Sequence, residues 1–118
     1  MDKLELVRDV THKMCDHDFD LDLVESTYAD DFVHHANGAT SDKAGYLARG
    51  LEYRERYASI DRPKFDELFE ADGRVVAAYT LTLHRQDGAE ERMAVMAVWT
   101  VGDDGKVSEL REVDAPAA

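Results

Sequence analysis

The sequence predicts an α+β fold, three helices followed by an antiparallel run of strands. Apolar residues in the first half recur every three or four positions, and from about residue 64 they alternate with a period of two. Strands and helices do not interleave, which argues against a parallel βαβ sheet.

The first helix spans residues 2–16, where Leu4, Val7, Val10 and Met14 form an apolar stripe. A second, about 20–28, turns Leu21, Val24 and Tyr28 inward. Asp30-Asp31 breaks it and leads into the short extended piece Phe32-Val33-His34-His35, closed by the turn pair Asn37-Gly38. Thr40 or Ser41 caps the third helix, with Asp42 in its first turn, where the helix dipole favours an acid. That helix reaches about Tyr57 along Ala44, Leu47, Ala48 and Leu51, and Pro63 confirms the stop. Residues 64–71, 74–85, 92–101 and 106–113 read as strands rich in Val, Thr, Leu, Tyr and Phe. Asp72-Gly73, Asp87-Gly88 and Asp104-Gly105 separate them as hairpin turns. Residues 114–118 read as a frayed tail.

With 118 residues, the chain is expected to form one domain over 1–118. Its 26 acids against 14 bases give a net charge of -12, the wrong sign for nucleic acid or an anionic membrane surface. No apolar run approaches the roughly 18 residues of a membrane span, and Met1 opens onto Asp2-Lys3, so neither a span nor a signal peptide is expected. A single cysteine, Cys15, cannot form an internal disulfide and fits a cytoplasmic location. No glycine-rich phosphate loop supports a nucleotide cofactor. Only His12 and Asp16 have helical ligand spacing, and no closed set of metal ligands can be drawn, so the expectation is neither cofactor nor metal.

Three segments carry a family resemblance: Tyr28-Ala29-Asp30-Asp31-Phe32-Val33-His34-His35, Ala71-Asp72-Gly73-Arg74-Val75, and Gly105-Lys106-Val107-Ser108-Glu109-Leu110-Arg111-Glu112. With the element order, they resemble the nuclear transport factor 2-like superfamily, and within it the SnoaL-like polyketide cyclases and ketosteroid isomerases. The resemblance implies a cone-shaped barrel, a strongly curved antiparallel sheet packed on three N-terminal helices with one pocket between. It also implies that Ser108, Leu110, Glu112 and Asp114 face inward. In the same register Met93, Val95, Ala97 and Trp99 follow, as do Ala78, Thr80, Thr82 and His84, leaving Tyr79, Leu81, Leu83, Met96 and Val98 outside. Such an apolar outer stripe asks to be covered, and a homodimer through the outer sheet face is expected.

The isomerases carry a general base at the end of the short strand, and the SnoaL-like pattern Gln-His-Asn-Pro places a histidine there. Here the segment is His34-His35-Ala36-Asn37, without the proline. The resemblance thus implies His35 as the catalytic base, with His34 on the opposite, structural side. Relatives have Trp-Arg-Asp where this chain has Leu110-Arg111-Glu112, which implies Glu112 as the orienter or partner acid of His35. The Arg and Asp of epoxide hydrolases are missing around Ala78 and Thr80. The isomerases' oxyanion donors are replaced by His12 and Ala97. His12, Tyr28, Thr80, His84, Val95, Trp99, Leu110 and Asp114 are the expected ligand-binding residues for a small apolar molecule. Whether the chain is an enzyme stays open between two readings: a cofactor-free isomerase or cyclase moving protons on a small apolar carbonyl compound, or a non-catalytic dimeric ligand-binding module.

Overall fold

Asp2 accepts a hydrogen bond from the Glu5 amide (2.7 Å) and so starts α1, Lys3–Cys15, in the computed structural model, which describes residues 2–16 and 21–117 and, at Leu23, the backbone alone. The second helix, α2, is Leu21–Thr27; the expected start at residue 20 lies outside the described residues. Val24 is buried, but Leu21 is exposed rather than inward. Tyr28 leaves the helix and opens strand β1, Tyr28–Ala36. Asp30 and Asp31 do not break the chain there. A register shift between Tyr28 and Val33 lets both aspartates reach solvent while the strand continues.

Asn37 and Gly38 both have positive φ (50° and 86°), the geometry of a tight hairpin turn, and connect β1 to β2, Ala39–Asp42. Thr40 and Ser41 are therefore ladder residues, not helix caps. Asp42 takes that role, accepting from the Gly45 amide (2.9 Å) at the start of α3, Lys43–Arg56. The rest of the chain is β3 (Tyr57–Asp61), β4 (Phe65–Ala71), β5 (Arg74–Arg85), β6 (Glu90–Val101) and β7 (Val107–Pro116). The last strand runs through residues 114–116 of the tail expected to fray, the Ala117 amide still donates to the Arg92 carbonyl (2.8 Å), and residue 118 lies outside the described residues. No helix among the described residues is long and apolar enough to cross a membrane.

The sheet order is β2-β1-β7-β6-β5-β3, with β4 sharing the same edge of β5 as β3. Among the described residues, only β1 and β7 pair in parallel. The seven strands curve around the helices without closing. The concave face holds a core in which Val7, Val10 and Val24 of the helices meet Phe32, Val75 and Leu110 of the sheet.

One register corrects the expected inner surface. The Arg85 amide donates to the Ala89 carbonyl (2.8 Å) and the Gly88 amide to the Arg85 carbonyl (3.1 Å), so the loop between β5 and β6 has three residues, 86–88, with Gly88 at φ 88°. This is a turn followed by a left-handed glycine. An odd loop pairs odd with odd, as in Tyr79 opposite Val95 and Ala77 opposite Ala97. A two-residue Asp87-Gly88 turn would instead have paired odd with even. Tyr79, Leu81 and Leu83 are consequently inside, while Ala78, Thr80, Thr82 and His84 lie on the convex face.

A Cβ at position 88 meets nothing within 4 Å, so substitution there tests the backbone alone. Gly88→Ala is expected to destabilise the protein by about 1 kcal/mol in urea unfolding, the cost of a left-handed non-glycine residue. Unchanged stability would contradict this loop geometry.

Candidate functional site

The parallel pairing of β1 with β7 determines which histidine faces the interior. His34 lies opposite Leu110, His35 opposite Arg111 and Ala36 opposite Glu112. Phe32, 1% exposed and two residues before His34, commits the even-numbered residues that follow it in β1 to the concave face. His34 therefore shares that face with Glu112, and its Nε2 is hydrogen-bonded to Glu112 Oε1. An ionised carboxylate only accepts, so Nε2 carries the proton in that bond. The two side chains are 6% and 16% exposed. His34 Nδ1 is buried without a hydrogen-bond partner among the described residues.

His35, the expected base, is on the convex face. Its Nε2 lies 3.4 Å from Glu109 Oε2 and its Nδ1 3.3 Å from the Thr40 hydroxyl. The expected contact between His35 and Glu112 is corrected to one between His34 and Glu112, because one residue along a strand reverses the face.

Around this pair lies a cavity of about 210 Å³. Thr11, Met14 and Cys15 of α1 form one side, Tyr46 and Arg49 of α3 another, and Tyr79, Leu81, Leu83 and Trp99 of the sheet the floor. Thr11 and Cys15 are four residues apart and share a helix face. Burial pushes the Cys15 thiol up to about 11, so it is neutral at physiological pH and serves as a small wall residue. The Tyr28 and Tyr46 hydroxyls are 3.2 Å apart, and the Tyr46 ring stands edge-on to His34 at 4.7 Å. Burial raises both phenol pKa values, with the Glu112 charge adding in the same direction. Both stay protonated at neutral pH. One hydroxyl donates to the other, and the acceptor keeps a proton of its own to give.

Arg54 ties the helical walls together. It donates to the Lys13, Met14 and Asp16 carbonyls at the end of α1 and to Gly50 in its own helix. Arg54 thereby supplies donors at the end of α1, where intrahelical donors run out, and the Lys13 carbonyl also accepts from the Asp16 amide at 3.1 Å.

Of the remaining expected ligand-binding residues, Tyr28, Trp99, Leu110 and Asp114 line the cavity. Asp114 also exchanges two hydrogen bonds with the Asn37 side chain, at 2.7 and 3.0 Å. Val95 is buried in the core opposite Tyr79 and Asp114. His12 is corrected. Its Nε2 lies 3.2 Å from the Pro63 carbonyl and its ring packs by Phe65, on a different side of α1 from Thr11 and Cys15. Thr80 and His84 are corrected with the β5 register. His84 contacts Asp61 of β3 at 3.0 Å, which raises the imidazole pKa. Asp16, paired with His12 as helical ligand spacing in the sequence, is held by Arg62 at 2.9 and 2.6 Å. Among the described residues, no group of three or more His, Cys, Asp and Glu is placed to hold a metal ion.

Sequence reasoning missed His34, Tyr46, Arg49 and Tyr79. The spacing of Tyr28, Phe32 and His34 on one face was a usable signal for the first. For Tyr79 the missing information was the loop length, and for Tyr46 and Arg49 the side of α3 that meets the sheet.

A family model described as a SnoaL-like domain matches residues 12–110. Among solved structures, AclR of Streptomyces galilaeus, described as a candidate hydroxylase, superposes with a TM-score of 0.82 at 16% identity, over 96% of this chain and 74% of its own. IdmH of Streptomyces antibioticus, described as a candidate polyketide cyclase, gives 0.82 at 14% identity, over 97% and 92%. An LEH-like epoxide hydrolase of M. tuberculosis gives 0.79 at 16%, over 96% and 82%. At these identities the likeness is one of fold. Among curated proteins, none matches the chain by sequence.

Proposed function

The chain belongs to the SnoaL-like domain family, within the nuclear transport factor 2-like superfamily, and from that premise we propose a cofactor-free isomerase or cyclase that moves a proton on a small apolar carbonyl compound. One observation carries the proposal. His34, which lines a largely apolar cavity, has Nε2 engaged by Glu112 and Nδ1 buried without a hydrogen-bond partner among the described residues. A neutral imidazole in that state has its lone pair on Nδ1, the form a general base requires.

In the proposed step, a C–H bond next to the carbonyl breaks. The proton goes to Nδ1 and the electron pair shifts onto the carbonyl oxygen. The imidazolium is stabilised by the Glu112 carboxylate, which also holds the ring in one orientation. Tyr28 and Tyr46, kept protonated by burial, are the candidate donors to the enolate oxygen. Return of the proton to another carbon gives isomerisation, and attack of the enolate on a second carbonyl gives cyclisation. The cavity suits a compact molecule, being smaller than the roughly 300–1,000 Å³ of sites for drug-sized ligands.

A nitrobenzisoxazole, whose ring opens with a colour change when its C–H proton is removed, probes the base directly. The wild-type protein is expected to open it faster than free imidazole at equal concentration. His34→Ala should lower the rate by roughly 10²-fold or more and Glu112→Gln by at least roughly tenfold, with folding checked by circular dichroism. A rate indifferent to both substitutions would contradict the proposal. Ligand binding without any turnover would favour the non-catalytic module.

The proposal includes a homodimer through the convex face. There Met96 and Val113 are 63% and 57% exposed, beside Val76 and Val98, an apolar patch that a second copy would cover. Light scattering after size exclusion should give about twice the 13.3 kDa chain mass, and Met96→Lys should halve it. A wild-type monomer at micromolar concentration would refute the dimer.

A further inference from the structure

Arg49 is not required by the proton transfer, yet it sits in the same cavity. It is three residues beyond Tyr46 on α3 and so on the same side of that helix. Its Nη2 donates to the Ser41 hydroxyl, and Ser41 lies directly opposite His34 in the β1–β2 ladder. Directly opposed residues share a face and have Cβ atoms about 5 Å apart. The guanidinium therefore stands at the His34 end of the cavity.

Among the described residues, the Ser41 hydroxyl is the one hydrogen-bond partner of Arg49, and no ion pair joins it to a carboxylate. The setting makes this notable, because the chain carries 26 acids against 14 bases. Lys43 pairs with Asp30 and Arg62 with Asp16, whereas Arg54, the other cavity arginine, is committed to backbone carbonyls. A guanidinium has five donors in a planar fork, and partial burial penalises a cation whose donors lack acceptors. The acceptor that matches this fork is a planar pair of anionic oxygens.

The other polar wall is of opposite sign. Glu112 and Asp114 project from β7 into the same cavity and repel an anion on their side. A bound acid is thus oriented with its carboxylate on α3 and its body along Leu81, Leu83 and Trp99. From this arrangement we infer that the ligand is a small apolar carboxylic acid, its carboxylate paired with Arg49 and the adjoining carbon set against His34. The inference rests on reading the cavity as a small-molecule site and specifies the ligand's class.

Naphthoate and its neutral isostere naphthamide test it by titration calorimetry at low ionic strength. Wild-type protein is expected to bind naphthoate at least roughly tenfold more tightly, as a charge-assisted bidentate contact requires. Arg49→Gln should abolish that preference, bringing the naphthoate and naphthamide affinities level, and Arg49→Lys should keep part of it. Equal binding of the two probes by the wild type, which needs no variant, would overturn the inference. So would a preference that survives in Arg49→Gln. Tight binding of naphthamide alone overturns the carboxylate but leaves the small-molecule site standing. Binding of neither probe overturns both.

Discussion

Glu112 can be placed in an apolar cavity only if a donor satisfies its carboxylate, and the β1–β7 pairing supplies the His34 Nε2–H to do so. This constraint organises much of the site. A shift of β1 by one residue would turn Phe32 and Tyr28 out of the core and bring His35 to Glu112 in place of His34. Burial of two large aromatic rings and pairing of a buried carboxylate thus demand the same register. The Asn37 side chain, bonded twice to Asp114 beyond the end of β1, reinforces it.

Helices close what the sheet leaves open. Arg54 binds the end of α1 to α3, and Tyr46 places its ring against Tyr28, Phe32 and His34. The result is a polar cluster in an aromatic surround, walled by acids on β7 and by arginines on α3. Each polar group is deployed in a different way. Arg54 is spent on structure, Glu112 on orienting an imidazole, and one phenol proton on the other phenol, leaving the second phenol proton, His34 Nδ1 and the Arg49 fork as the groups with capacity for a ligand. The fold itself is compatible with many chemistries, so function rests on these particular side chains.

Much of the architecture was legible in the sequence because periodicity reports burial directly. The stripe Val7, Val10 and Met14 and the alternation of Val95, Ala97 and Trp99 each mark one face without knowledge of the neighbours. Alternation put Leu110, Glu112 and Asp114 on one face of β7, and the family resemblance turned that face, with Trp99 of β6, to the concave side. What failed was information held between elements. The inner face of β5 depends on whether the Asp87-Gly88 loop has two residues or three, and adjacent glycine and aspartate fit both. At His34-His35 a family pattern pointed to the second histidine, while Phe32, two residues before His34, pointed to the first. The structure follows the burial signal. Arg49 was invisible for a further reason, since its significance lies in the carboxylates that are not near it.

The most direct test of the central pair is the protonation of the His34 ring itself, read at neutral pH by long-range nitrogen–proton NMR correlation and assigned against His34→Gln. The account predicts a neutral ring with the proton on Nε2, hydrogen-bonded to Glu112, and an unprotonated Nδ1. A ring protonated on Nδ1 with Nε2 bare would contradict it, because the lone pair would then face the carboxylate and no base would remain for a ligand.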